Sequence, residues 1–361
     1  MKAKIVEILK HYSKKGELKD FRNYGNGHIN DTYLVSFNES KIILQCINKS
    51  IFKEPKKLME NISAVTLFLK DRIKANGGEP SRETLNIVRT DEDNLYVETK
   101  EGDIWRAYEF LEDTVCYEQI GDSKEFYEAG YAFGNFQNLL ADFPVEKLYE
   151  IIPDFHNTEV RFKAFKRAIK EDVLNRAADV KSEIEFFLSR EKYTHIFNNA
   201  LKNGEIRLKV THNDTKLNNI LFDKESKKAL CVIDLDTVMP GIAAFDFGDA
   251  IRFGANTGLE DERDLSKVSL DLDLFEAFTG GFLKACGKSL NSREIELLPM
   301  GAILMTYECG IRFLGDYIAG DKYFKISRES QNLDRARTQI KMVSDMEKHL
   351  DKMRCIVQRY S

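Results

Sequence analysis

Val210-Thr-His-Asn-Asp-Thr-Lys-Leu-Asn-Asn-Ile-Leu221 begins as a short apolar strand, breaks into a polar loop and returns to an apolar strand. His212, Asp214 and Lys216 lie inside the loop, and Asn219 closes it. A second strand, Ala229-Leu-Cys-Val-Ile233, then runs directly into Asp234, with Asp236 just beyond. A carboxylate, an amide and a second carboxylate, each at the mouth of a buried strand, are therefore expected to converge on one point.

Phosphoryl transfer needs such a set: one carboxylate for the attacking hydroxyl, and an amide plus a carboxylate to hold Mg²⁺ against nucleotide phosphates. The His-x-Asp-x-x-x-x-Asn spacing matches the kinase catalytic loop, and the lysine two residues after the aspartate sharpens the match. In this reading Asp214 accepts or orients the substrate proton, and Asn219 and Asp234 ligate Mg²⁺ with hard oxygens. Lys216 stabilises charge on the moving phosphoryl group. The plainer reading makes Asp214 a surface carboxylate in a turn and Lys216 a solvated lysine. Apolar flanks, and the recurrence of Asn219 and Asp234 at the expected offsets, favour the chemical one. His212 is expected to brace the loop through backbone hydrogen bonds, since a metal-hydrolase reading lacks other clustered histidines. Asp246-Phe-Gly248 spells the kinase metal-binding triplet, but a helix begins there, so Asp246 is assigned to bracing the loop. Asp236 is left between a second Mg²⁺, the substrate and water.

The 361 residues are too many for one small core and fit two lobes or one large domain. Apolar residues make up 43% and charged residues 31%, the balance of a globular protein. A net charge of −5 argues against a general nucleic-acid binder, whose phosphate contacts need a basic surplus. No apolar run approaches the roughly 18 residues that span a bilayer, and Met1-Lys-Ala-Lys-Ile-Val6 lacks a signal-peptide core. The six cysteines are scattered without a Cys-x-x-Cys pair, which points to neither a zinc site nor a disulfide framework. The expectation is a reduced, cytoplasmic monomer with no membrane or nucleic-acid partner.

Along the chain, apolar spacing predicts a short helix from Lys4 to Tyr12, with Ile5, Ile8 and Leu9 inward. Gly25 and Gly27 allow a tight turn between two strands, and Tyr33, Val35 and Phe37 alternate after it. A Gly-x-Gly hairpin can lay backbone N–H groups over phosphates, although most such pairs are only turns. A third strand is read from Lys41 to Asn48, a helix from Pro55 to Ile73, and strands at Asn94–Thr99 and Ile104–Leu111. From about Asp122 helices dominate: Ser123–Leu140, Glu159–Ala177, Ser182–Leu201, Ala243–Phe253, Asp271–Cys286, Ser292–Ile318 and Gln331–Gln358. Ile340, Val343, Met346, Leu350 and Met353 form one apolar stripe on the last. The order predicts an α+β chain: a small antiparallel-sheet lobe over residues 1–111 and a larger, mainly helical lobe over 112–361. Clefts between such lobes favour ligands.

With these residues in place, the chain resembles the aminoglycoside phosphotransferase and choline kinase superfamily, whose two-lobed fold is protein-kinase-like. It is more similar still to the bacterial N-acetylhexosamine 1-kinases. The resemblance is carried by Tyr24-Gly-Asn-Gly-His-Ile-Asn-Asp-Thr-Tyr-Leu34, Ala132-Phe-Gly-Asn-Phe-Gln-Asn138, the loop from Val210 and Ile233-Asp-Leu-Asp-Thr-Val-Met-Pro-Gly241. It continues through Phe245-Asp-Phe-Gly-Asp-Ala-Ile-Arg-Phe-Gly-Ala255, Leu259-Glu-Asp-Glu-Arg-Asp-Leu265 and Glu308-Cys-Gly-Ile-Arg-Phe-Leu-Gly-Asp-Tyr317. It implies ATP- and Mg²⁺-dependent phosphorylation of the anomeric hydroxyl of N-acetylglucosamine or N-acetylgalactosamine. It also implies adenine at a hinge near Glu109 to Leu111, under the Gly25–Gly27 turn, and a sugar beside Asp214. Arg312, Tyr323, His28 and Phe253 are carried over as sugar contacts; the alternatives are an Arg312 ion pair with Glu308 and core roles for the two aromatics.

One departure stands out. The third strand of the superfamily usually supplies Lys or Arg to the phosphates, and here that position is Gln45. A glutamine keeps a hydrogen bond but loses the charge; Lys41 or Lys216 is the expected substitute, unless Mg²⁺ does most of the neutralising. The rival readings are a kinase of choline, homoserine, methylthioribose or an aminoglycoside, and an inactive nucleotide-binding regulator. The first would want an aromatic cage or an acidic pocket. The second has no chemical need for Asp214, Asn219 and Asp234 together.

Overall fold

The computed structural model describes residues 2–25 and 29–361. Gly27 and His28, expected over the phosphates and at the sugar, lie outside the described residues. The chain forms two compact units, and it passes between them more than once, where a single cut after Leu111 was expected. The first unit comprises Met1–Val115, Asp142–Pro153 and Leu221–Met239; the second comprises Cys116–Ala141, Asp154–Ile220 and Pro240–Ser361.

In the first unit, helix α1 (Lys2–Leu9) leads into a 3₁₀ turn. Strands β1 (Leu18–Asn23), β2 (Asp31–Phe37) and β3 (Lys41–Cys46) follow, then helix α2 (Pro55–Ala75) and one helical turn, α3 (Pro80–Glu83). Strands β4 (Ile87–Val88), β5 (Val97–Glu98), β6 (Ile104–Glu109) and β7 (Thr114–Val115) complete its first segment. The main sheet runs β1-β2-β3-β6-β4, with β5 also on β6, and its pairings are antiparallel. Strand alternation explains the core. Tyr33, Val35, Phe37, Ile42, Leu44, Trp105 and Ala107 share one buried cluster with Ile5, Ile8, Leu9 and Tyr12 of the N-terminal segment. The strand expected from Asn94 shrinks to Val97–Glu98.

The second unit is mainly helical: α4 (Ser123–Leu139), α5 (Thr158–Glu171), α6 (Lys181–Leu188) and α7 (Ile196–Lys202) precede strand β8 (Lys209–Thr211). From Leu221 the chain is back in the first unit, where strands β9 (Ile220–Asp223) and β10 (Ala229–Val232) form and β9 pairs through Phe222 and Asp223 with β7. After β11 (Met239–Gly241) come α8 (Ala243–Gly254), α9 (Leu272–Cys286), α10 (Ser292–Glu296), α11 (Leu298–Ala319) and α12 (Gln331–Tyr360). Two helices expected as single pieces are broken. Pro299 sits in the first turn of α11, where it cannot extend a preceding helix, so Ser292–Ile318 divides at Leu297. The Ser182–Leu201 stretch divides because Tyr307 Oη and the Arg190 guanidinium take the carbonyls of Phe187 and Phe186. On α12 Val343, Met346 and Met353 are buried, while Ile340 and Leu350 are only half-buried. Helices α8 and α11 touch at backbone distance: a Cβ on Gly248 would lie 2.4 Å from the Gly301 carbonyl oxygen. Among the described residues no helix is long and apolar enough to cross a membrane.

Candidate active site

In the second unit, β8 ends at Thr211 and the expected catalytic loop opens in a strained conformation. Asn213 has φ +65°, left-handed backbone that asparagine tolerates better than most residues but that needs outside support. Helix α8 gives that support. Asp246, wholly buried in its first turn, accepts the N–H groups of His212 (2.9 Å) and Asn213 (2.7 Å) and the Gln137 amide (2.8 Å). Its backbone carbonyl accepts the Thr215 hydroxyl at 2.6 Å. The kinase-like triplet Asp246-Phe-Gly is therefore a loop anchor on a helix, as its sequence context implied. One turn on, Asp249 accepts the Thr215 N–H (3.1 Å) and the Arg252 guanidinium through Nε (3.0 Å) and Nη2 (2.9 Å). Burial would raise the Asp249 pKa, but Arg252, Lys216 and His156 together hold it below the ordinary carboxylate range.

The loop backbone is thus fixed from one helix, and the side chains that remain can be aimed. Lys216 Nζ lies 2.8 Å from Asp214 Oδ1. The Asn219 amide nitrogen donates to the Asp214 carbonyl (2.8 Å) and to Asp214 Oδ2 (3.1 Å). These bonds occupy the Asn219 nitrogen; its oxygen is the kind of atom a hard cation takes. Burial would lower the Lys216 pKa, but Asp214 and Asp249 raise it. The structure therefore brings Asp214, Lys216 and Asn219 together. His212 is buried edge-on against Phe133 and Phe136, and its Nδ1 faces the Asp214 N–H at 3.3 Å. Gly241 has no room for a side chain: a Cβ there would sit 2.1 Å from Thr211 Oγ1.

Beside this loop lies a polar cluster that sequence reasoning missed. His156, just before α5, places Nδ1 2.9 Å from Glu308 Oε1 and Nε2 3.2 Å from the Asn213 carbonyl oxygen. Thr158 donates to the other Glu308 oxygen at 2.6 Å. Glu308 is thus committed to His156 and Thr158. Arg312 instead reaches Tyr323 Oη at 3.5 Å, with its guanidinium 5.6 Å from the Tyr323 ring and 5.3 Å from that of Phe324. The Tyr323 loop is built on Asp316, whose carboxylate accepts the N–H groups of Lys322, Tyr323 and Phe324, each at 2.9 Å. Tyr323 is 70% exposed, so it is not a core aromatic. Phe253 is also exposed and lines a cavity of about 350 Å³ with Arg252, Glu118, Glu260, Glu262 and Lys267.

In the first unit, Asp234 follows β10 in left-handed backbone (φ +58°) and is exposed, at the start of a 3₁₀ turn that carries Asp236. Asp236 is 3% exposed, and its ion pair with Arg106 (2.6 Å) and its bond from Asn30 Nδ2 (2.7 Å) account for its carboxylate. Gln45 has a cationic neighbour in Arg106. The two residues stand directly opposite each other on β6 and β3, and Arg106 Nε donates to Gln45 Oε1 at 3.0 Å. A cation is therefore present on this face of the sheet, supplied from the neighbouring strand. Lys41 is instead paired with Glu112 at the surface, and Lys216 with Asp214. Nothing in the sequence flags Arg106 except a charge inside an apolar strand; only the register identifies its partner. Gly25 has φ +76°, which glycine adopts without strain. The Glu109 carboxylate pairs with Lys15, the Glu109 N–H bonds the Asn86 carbonyl, and the Leu111 carbonyl accepts the Thr114 hydroxyl. Among the described residues no group of three or more His, Cys, Asp or Glu is arranged to hold a metal. A magnesium ion that rides on nucleotide phosphates asks the protein for only one or two oxygens, and Asn219 and Asp234 are oxygen donors of that kind.

The profile of the phosphotransferase enzyme family matches residues 20–273. Solved structures that resemble the chain include three kinases. The aminoglycoside phosphotransferase of Alicyclobacillus acidocaldarius is 12% identical, with TM-score 0.62, over 95% of this chain and 93% of that one. The Plasmodium vivax ethanolamine kinase is 16% identical, with TM-score 0.57, over 92% and 86%. The amicoumacin kinase hAmiN, in complex with AMP-PNP, Ca²⁺ and Ami, is 12% identical, with TM-score 0.56, over 93% and 92%. At such identities the likeness is one of fold.

Proposed function

The chain belongs to the phosphotransferase enzyme family, the aminoglycoside phosphotransferase and choline kinase superfamily that its motifs resemble, and from that premise we propose that it is an ATP-dependent kinase of a small hydroxylated metabolite. Its acceptor is the anomeric hydroxyl of N-acetylglucosamine or N-acetylgalactosamine, and its product the sugar 1-phosphate. The observation that carries the kinase reading is the Asp214 carboxylate held between Lys216 and Asn219, on a loop tied to α8. The sugar reading rests on the motif resemblance, supported by the contact of Arg312 with the exposed Tyr323.

In this mechanism Asp214 orients the acceptor hydroxyl toward the γ-phosphorus and accepts its proton as the new P–O bond forms and the bond to the leaving ADP breaks. Lys216 lies beside that carboxylate and stabilises charge on the phosphoryl group in flight. Asn219 and Asp234 are the proposed oxygen ligands of Mg²⁺, which when bound would neutralise the nucleotide phosphates. Gly25 would cover the phosphates, while Glu109 to Leu111 would hold adenine. Gln45 and Arg106 together fill the place of the third-strand lysine. Arg312, Tyr323 and Phe253 contact the sugar. The enzyme acts as a cytoplasmic monomer.

An aminated acceptor is the second reading. It is favoured by the three glutamates that line the cavity beside Phe253, although Arg252 and Lys267 line it too. Incubation with ATP, Mg²⁺ and a panel of N-acetylhexosamines, unacetylated sugars, choline, ethanolamine and kanamycin, read by phosphorus NMR, separates the readings. An anomeric phosphate formed from N-acetylhexosamines alone is the expected result. A 6-phosphate or a phosphoamino alcohol rejects the sugar 1-kinase reading, and no phosphorylated product at all rejects the kinase.

A further inference from the structure

The buried histidine that touches the catalytic loop has no role in the mechanism above. Both of its ring nitrogens face atoms that only accept: Nδ1 meets a Glu308 carboxylate oxygen at 2.9 Å, and Nε2 meets the Asn213 carbonyl oxygen at 3.2 Å. A neutral imidazole carries one N–H and would leave one of these contacts as two lone pairs facing each other. The imidazolium satisfies both. The second contact falls on the residue whose left-handed backbone sets the direction of Asp214.

We infer that His156, held as an imidazolium by Glu308, is a positioning residue that pins the Asn213 carbonyl and so fixes the aim of Asp214. The inference rests on the proposed role of Asp214. The charged groups around the ring are Glu308 on α11 and Asp249 on α8, with Arg312 on α11 and Arg161 on α5 acting on Glu308. Phe155 and Phe245 close its sides, at 4.5 and 5.6 Å between ring centres. Burial alone would lower the imidazole pKa. Glu308, then Asp249 and the Asn213 carbonyl, outweigh it and raise the pKa from its ordinary value, while the same pairing holds Glu308 low. A raised histidine pKa makes the brace complete below the ordinary value of about 6.5 and removes it as pH rises through the folded-state value. The loop therefore loosens on the alkaline side.

Nitrogen NMR of the full chain labelled at histidine tests this without any acceptor. At neutral pH both His156 nitrogens are expected in the protonated range, assigned by their loss in His156→Gln. The Asp214 amide shift should follow their titration in the wild type and not in that variant. Glu308→Gln, which keeps shape and removes charge, should move the titration to lower pH. A neutral His156 ring at neutral pH overturns the inference, and so does an Asp214 amide that ignores its titration. In kinase assays His156→Gln should lower kcat about ten- to a hundred-fold, the scale for a small misplacement of a reacting group, with KM for ATP little changed. Glu308→Gln should shift the alkaline limb of kcat to lower pH. An unchanged limb in both variants also overturns it. If His156→Gln does not fold, the wild-type titration and Glu308→Gln still decide. If no acceptor is phosphorylated, the function proposed above fails while the NMR result stands.

Discussion

Two aspartate turns, one in each unit, share a design and differ in how they are held. Asp214 and Asp234 each follow a short strand. Each has a left-handed residue other than glycine at the turn, Asn213 in one and Asp234 itself in the other. Each has a buried arginine–aspartate pair behind it, Arg252–Asp249 in one and Arg106–Asp236 in the other. The Asp214 loop is gripped by its backbone: three of its N–H groups end on two carboxylates of a single helix. Among the side-chain contacts described, the Asp234 turn is held through Asp236 by residues that come from distant parts of the chain, Arg106 on β6 and Asn30 before β2. The first arrangement follows from helix periodicity once α8 has formed. The second exists only after the sheet has found its register.

The largest expected effect probes the chemistry that the first turn aims. Asp214→Asn keeps the shape of the side chain and the Asn219 bond but removes the base. Turnover should fall by roughly 10²–10⁴, the usual span for a general base, while ATP binding followed by calorimetry persists. Unchanged turnover would remove Asp214 from its assigned role and leave the loop as a structural feature.

The comparison itself is tested next. Arg106→Met removes one partner of a wholly buried pair and leaves Asp236 with the Asn30 amide alone. Urea unfolding should register a loss of about 3–5 kcal/mol, the usual result of stranding a buried charge. Arg106→Met combined with Asp236→Leu should recover much of that loss, since well-packed apolar replacements of buried pairs are often neutral. Arg252→Met should cost less, about 1–3 kcal/mol, because Asp249 keeps the Thr215 N–H and the nearby Lys216 charge. Equal losses at the two arginines would mean that backbone anchoring gives the first turn no advantage.

The same contrast explains what could be read beforehand. The sheet-then-helix order, the roles of Asp246 and His212, and the grouping of Asp214 with Lys216 and Asn219 are short-range matters, set by spacing along one loop or one helix turn. Arg106 and His156 were not legible, because the residues that give them meaning are far away in sequence: Gln45 and Asp236 for one, Glu308 and Asn213 for the other. Their pairing depends on strand register and on the packing of α11, neither of which leaves a local signature. The helix breaks failed in an intermediate way. Pro299 was visible as a breaker, whereas the carbonyl capping by Tyr307 and Arg190 needed the tertiary structure.

The smallest effect lies at the acid edge and sharpens the comparison from the electrostatic side. Asp249 has a folded-state pKa below its ordinary value, because Arg252, Lys216 and His156 together outweigh its burial. For a carboxylate depressed in this way, the unfolded chain binds its proton first as pH falls. The stabilising contribution is then complete above the ordinary value of about 3.9 and is lost as pH drops through the folded value. Arg252→Met removes the leading cause of that depression, so the variant's stability deficit against wild type should be constant from neutral pH down to about pH 5 and should narrow below pH 4. Thermal unfolding at a series of pH values measures it. A deficit that stays the same through the acid range would show that Arg252 acts on the Asp214 loop by packing alone, and that the grip of α8 on that loop owes nothing to the charge of the pair.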